Sequence, residues 1–188
     1  FDTSKIWYHG TIRDLSALGV NPIFWASETP SLANEYATAG QLAIDRSDAL
    51  QEADLASNVI PVYVRSRKPV HFRHAEQEVT VRDIMVGAMS QAGRLQNTSR
   101  AHELFDLLDD KYGDRRQPMH SFWRDDYAVG DFLRELGFDS IRVYERADRQ
   151  NATIGSLYPQ NVRSINASFD PANDTGRHLL FKRFHDKE

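Results

Sequence analysis

The first residues that could do chemistry are Tyr8-His9-Gly10-Thr11. A neutral imidazole both donates and accepts hydrogen bonds, and a residue without Cβ lets a flat ligand approach the main chain, so His9 and Gly10 read as a ligand-orienting pair. A lone histidine after two aromatics is more often structural, and it is the company of further motifs along the chain that raises His9 above that default. His71 and His74 stand three apart with Glu76 and Glu78 nearby, which raises the question of a metal. Against it, Val70-His71-Phe72-Arg73 reads as extended, no third spaced histidine is near, and Arg73 would repel a cation, so no metal is expected. Cysteine is absent, which excludes a disulfide framework, a thiolate zinc site and a cysteine nucleophile. Neither a P-loop nor a dinucleotide Gly-x-Gly-x-x-Gly occurs, so a nucleotide would be held without either device.

The elements that must position these residues come from a chain of 188 residues, 40% hydrophobic and 27% charged, enough to bury a proper core. A formal charge of −4 argues against a constitutive binder of duplex nucleic acid. Local basic stretches, Arg65, Arg67, Lys68 and Arg73 and then Arg177, Lys182, Arg183 and Lys187, are by default solvated surface, or else docking points for a polyanion or an acidic partner. No apolar run approaches the roughly 18 residues of a membrane span, and the N-terminus has no signal-peptide pattern. A start at Phe1 rather than Met points to a piece of something longer. No repeat or linker divides the chain, so a single domain over 1–188 is expected.

Short strands are predicted over Lys5 to His9, Ile23 to Ala26 and Val59 to Val64, the last demoted by Pro61 to an edge or an irregular start. Ser31 is the expected N-cap of a helix that carries Tyr36 and closes at Gly40. From 79 to 137 the period becomes helical: Val81, Ile84, Met85 and Ala88, then Ala101, Leu104, Phe105 and Leu108, then Val129, Phe132, Leu133 and Leu136 predict three helices, the third stopped by Gly137. Ser140 to Tyr144 and Ala152 to Tyr158, joined by a polar turn, predict an antiparallel hairpin. Strands at both ends with helices between give an α+β fold.

The order Tyr8-His9-Gly10-Thr11, Phe24-Trp25-Ala26-Ser27 with Tyr36-Ala37, Val59 to Val64 with Lys68-Pro69, Leu136-Gly137-Phe138-Asp139-Ser140-Ile141 and Pro159-Gln160-Asn161-Val162-Arg163-Ser164 resembles the ADP-ribosyltransferase superfamily. The likeness is to its diphtheria-toxin and poly(ADP-ribose)-polymerase branch, including transferase domains of bacterial toxins and phage polyvalent proteins. The resemblance implies a split mixed or antiparallel sheet that holds NAD as substrate, with a helical insertion of about three helices. It implies that His9 orients the adenosine-side ribose, that Gly10 offers its main chain to the nicotinamide carboxamide, that Thr11 belongs to the cofactor-binding set, that Tyr36 stacks on nicotinamide, and that Ser27 lies by its carboxamide. Phe24 and Trp25 would form a pocket wall.

The family's catalytic Glu is missing. Counting back from Pro159 lands on Thr153, with Asn151 two residues earlier on the same strand face. Either the ribose cation forms with polar help from Thr153 or Asn151 and transfer is limited to single units, or Glu145 or Glu35 supplies the carboxylate, or the pocket is degenerate. The expected activity is mono-ADP-ribosyl transfer to a protein or RNA acceptor by a secreted or delivered toxin domain acting in the target-cell cytoplasm, with an immunity protein as a further expected partner. The alternatives are an NAD glycohydrolase and a binding module of the same fold. The loop Ala147 to Gln150, where relatives choose the acceptor, lacks the acid pair of arginine-specific enzymes.

Overall fold

The computed structural model describes residues 2–11, 23–45, 58–73, 77–93, 98–125, 127–144 and 151–165. Along the chain run β1 (Trp7–Thr11), β2 (Phe24–Ser27), α1 (Pro30–Asp45), β3 (Asn58–Val64), β4 (Pro69–Phe72) and β5 (Glu78–Val79). They are followed by α2 (Val81–Ala92), α3 (Ser99–Tyr112), β6 (Gln117–Pro118), α4 (Met119–Asp125), α5 (Tyr127–Glu135), β7 (Ser140–Tyr144), β8 (Ala152–Ser156) and β9 (Val162–Ser164). The fold is α+β, and its chain forms two compact units, Phe1–Arg65 with Tyr158–Glu188, and Ser66–Leu157.

In the first unit the strands run in the order β2-β1-β3-β9, every pairing antiparallel. Strand β1 extends through Gly10 and Thr11, residues expected to form a loop, because all five of its residues find partners on β3 from Trp7↔Val62 to Thr11↔Asn58. Of the two expectations for Pro61, an edge strand or an irregular start, the edge does not hold, since β3 is flanked by β1 and β9. The proline stands just beyond the described β3–β9 pairs, which begin at Val62↔Ser164, and its carbonyl accepts from Ile165 N–H at 3.3 Å.

Helix α1 starts two residues earlier than Ser31 implies. Thr29 is the cap, with its Oγ1 accepting from Leu32 N–H at 3.4 Å, and Pro30 takes the first helical position, where its fixed φ fits and its missing N–H is not needed. The helix also runs through Gly40 to Asp45, since a glycine inside a helix costs only about 1 kcal/mol and does not by itself stop one. Among the described side chains of α1, Leu32, Ala33 and Ala37 are buried. Two of the three are alanines, and at Gly10 the reason is visible: a Cβ built there would lie 1.8 Å from the Ala33 carbonyl oxygen and 3.2 Å from Ala37 N. Strand and helix backbones meet directly at this point.

In the second unit β4 pairs parallel with β7 and β7 antiparallel with β8, a mixed arrangement, and β5 pairs with β6 apart from it. The hairpin predicted from Ser140 onward is present, registered from Ser140↔Ser156 to Tyr144↔Ala152. Asp139 holds the start of this sheet: its carboxylate accepts from the main chain of Arg67 at 2.8 Å and Lys68 at 3.1 Å, and from Ser140 Oγ at 2.7 Å. The locally basic turn is thereby tied down through its main chain.

Between residues 79 and 137 there are four helices where about three were expected. The additional one, Met119–Asp125, is seven residues long and buries Met119, Phe122 and Trp123, too short a stretch for a helical repeat to stand out. The other helices bury the predicted faces but for one residue: Val81, Ile84, Met85 and Ala88; Ala101, Leu104 and Leu108, with the predicted Phe105 only half-buried; and Val129, Phe132 and Leu133, with Leu136 buried just past the end of α5. Thr80 and Asp83 cap α2 reciprocally, each side chain bonding the other's main chain. Gly137 ends α5 at φ 77°, with Gly137 N–H on the Arg134 carbonyl and Phe138 N–H on that of Leu133, the paired bonds of a Schellman motif.

Gly87 in α2 has no such reason to be glycine. A Cβ there would meet only Phe72 Cε1, at an ordinary 3.8 Å. Gly87→Ala is expected to raise stability by about 1 kcal/mol through helix propensity, seen as a higher urea midpoint at unchanged slope.

Candidate functional site

Of the sequence-predicted residues, His9, Gly10, Thr11, Ser27 and Tyr36 all fall in the first unit. His9 Nδ1 lies 2.6 Å from the Trp25 carbonyl oxygen. A carbonyl only accepts, so Nδ1 carries the proton and, in the neutral ring, Nε2 is left as an acceptor. That Nε2 is buried and has no hydrogen-bond partner among the described residues. The Phe24 ring stacks on the imidazole, with centroids 4.3 Å apart and planes 29° from parallel.

The geometry departs from a regular ladder here. Strands β1 and β2 are registered at Tyr8↔Ser27, and continuing that register sets Trp25 opposite Gly10. At that level the Trp25 carbonyl is held by a side chain, the His9 ring. Gly10, which the sequence reading assigned to a ligand's approach, has the space of its absent side chain filled by α1. Its main chain remains the part that could meet a ligand.

Because side chains alternate along a strand, His9 projects from the face of β1 opposite to the one α1 covers, whereas Ser27, directly across from Tyr8, shares the face of Gly10. Ser27 and Thr11 are buried. Tyr36 stands on the α1 turn between the two alanines that contact Gly10, and 46% of it is exposed.

Burial pushes the His9 imidazole below the ordinary histidine value of 6.5, with the hydrogen bond to Trp25 opposing it. The unfolded chain therefore takes up this proton at higher pH than the folded one. The stability associated with neutral His9 is complete above pH 6.5 and is lost as pH falls through the lower folded-state value. Denaturation midpoints measured between pH 8 and pH 4 are expected to show this acid-side loss, and His9→Asn is expected to remove the part due to this group.

Thr153 and Asn151 belong to the second unit. Thr153 sits on β8 directly opposite Val143, which is itself opposite Phe72 on β4, so the three share one face. On that face the Phe72 ring meets Trp123 of α4 at 5.4 Å, and Thr153 is 3% exposed. Asn151 is half-buried just before β8, and Glu35 is exposed on α1. Glu145 and the loop Ala147 to Gln150 lie outside the described residues, as do His74, Glu76 and the basic positions from Arg177 to Lys187. His71 is exposed on β4, its main chain bonded on both sides by the Gln91 side-chain amide at 2.8 Å. Among the described residues no group of three His, Cys, Asp or Glu comes together, and no helix is long and apolar enough to cross a membrane.

Sequence reasoning saw Phe24 and Trp25 as a wall and missed their hold on His9. Nothing in the sequence marks a carbonyl as a partner; the only signal was two aromatics in the strand that follows a histidine strand. Compared with models of known families, with curated proteins and with solved structures, the chain has no match.

Proposed function

We propose that this chain is an NAD-dependent ADP-ribosyltransferase domain, which cleaves the nicotinamide–ribose bond and passes one ADP-ribose to a macromolecular acceptor, protein or RNA. The observation that carries the reading is the buried His9 Nε2, without a hydrogen-bond partner among the described residues, on a ring whose Nδ1 is held by the Trp25 carbonyl. A buried acceptor without a donor costs about 1–3 kcal/mol, which a ligand hydroxyl would recover. A ribose of NAD supplies such a hydroxyl, and the half-exposed Tyr36 ring supplies a stacking surface for a pyridinium. Gly10 follows His9 on β1, and its main chain abuts α1, the helix that carries Tyr36.

In the reaction the C1′–N bond breaks heterolytically, nicotinamide leaves with the bonding pair as a neutral ring, and the ribose carries an oxocarbenium charge until the acceptor attacks C1′ and releases its proton. Without the carboxylate that the resemblance expects, departure is largely dissociative and limited to single transfers. A delivered toxin domain with a cognate immunity protein, acting in the cytoplasm of its target cell, is the setting in which this chemistry fits best.

Thr153 itself favours a second reading, an NAD-binding module without turnover, because its register sets it on the face of Val143 and Phe72. Incubation with NAD labelled in both the nicotinamide and adenylate halves separates the readings. Released nicotinamide with label retained on denatured protein or RNA supports transfer. Released nicotinamide without retained label means hydrolysis, binding without release means a module, and no binding at millimolar NAD sinks all three. Tyr36→Ala is expected to weaken NAD binding about tenfold, by isothermal titration, for the loss of one stacking surface.

A further inference from the structure

We infer that Phe24 is a positioning residue for His9, whose ring, together with the Trp25 carbonyl, holds the imidazole in one orientation and one tautomer so that Nε2 is presented as an acceptor. The inference rests on the proposed role of His9 but concerns a property of the free protein. The two restraints act in different directions. The 2.6 Å bond from Nδ1 to the Trp25 carbonyl acts in the plane of the imidazole and rejects the flipped ring, which would aim a C–H at the oxygen. By itself it does not stop the ring from tilting out of line with the carbonyl, and a tilted ring loses the alignment on which the bond, and with it the single tautomer, depends.

Stacking opposes that tilt. Phe24 lies against the imidazole face at 4.3 Å and 29°, so a tilt either breaks the ring contact or drives one ring into the other. The two residues that supply these restraints are adjacent on β2, where alternation turns the Phe24 side chain toward the His9 ring while the next residue offers its main chain. An imidazole so restrained selects for ligands that donate a hydrogen bond, a hydroxyl or N–H, and disfavours those that only accept.

The test uses the full chain with nitrogen-15 in its histidines. The His9 signals are assigned by their loss in His9→Asn, and NAD itself is the titrant. In the unaltered protein at pH 7.5 His9 is expected to show a single species with protonated Nδ1 and bare Nε2. Phe24→Leu, similar in volume and lacking the ring face, is expected to give a mixture of His9 species and NAD binding weakened about tenfold, while Phe24→Tyr restores both. If Phe24→Leu does not fold, Phe24→Met is read in the same way. A single Nδ1-protonated species that persists without the ring overturns the positioning role. A His9 that responds to Phe24→Leu as expected in a protein that binds no NAD overturns the proposed function and leaves the positioning role standing.

Discussion

Gly10→Ala is expected to unfold the first unit. The added methyl would sit 1.8 Å from the Ala33 carbonyl oxygen, and that atom belongs to helix backbone rather than to a side chain that could swing away. Relief requires α1 to lift from β1 by more than an ångström, which opens the contact that buries Leu32, Ala33 and Ala37. Overpacking of this kind costs about 3 kcal/mol or more, a large part of the 5–15 kcal/mol that holds a domain together. The measurement is urea denaturation followed by fluorescence with Trp123→Phe as background, so that Trp7 and Trp25 report on the first unit. A midpoint within error of the parent would mean that helix and strand are not in backbone contact at Gly10.

The second large effect is expected at His9. In His9→Asn the side-chain amide can place an N–H where Nδ1 stood, keeping the bond to the Trp25 carbonyl while Nε2 is deleted. Stability at pH 8 should fall by about 1 kcal/mol, for the ring contact with Phe24, and little more, because the deleted Nε2 has no partner among the described residues. Nicotinamide release should fall about 100-fold, the equivalent of roughly 2.7 kcal/mol for a hydrogen bond that orients the ribose in the transition state. His9→Gln, whose longer amide reaches the Nε2 position, should recover part of the rate. Full activity in His9→Asn would remove His9 from the site and with it the main support for an NAD enzyme.

The two variants separate what the shared motif does. Gly10 is tested for the fit of helix on strand, His9 for a ligand. Their adjacency in sequence had suggested one purpose, yet alternation along β1 turns them to opposite faces.

Periodicity was the most legible feature of the chain. The buried faces of α2, α3 and α5 stand as their spacing predicts, because a residue's place on a helix follows from counting, and the hairpin of β7 and β8 was legible from two alternating runs about a polar turn. Caps were less so. Ser31 and Thr29 are both good N-caps by type, and only the main-chain hydrogen bond shows which one starts α1. The brief α4 escaped because one and a half turns of apolar residues resemble many loops.

By itself, then, the sequence determined the α+β composition, the helix faces, the stop at Gly137 and the candidacy of His9, since each depends on residue type and near neighbours along the chain. Tertiary structure decided which lone pair His9 keeps open, what fills the space at Gly10, that Pro61 lies in an internal strand, and which face Thr153 takes. Those properties depend on a carbonyl sixteen residues away, a helix backbone and two ladder registers. Such long-range contacts carry no local composition signal, because a carbonyl or a helix backbone is the same whichever side chain it bears.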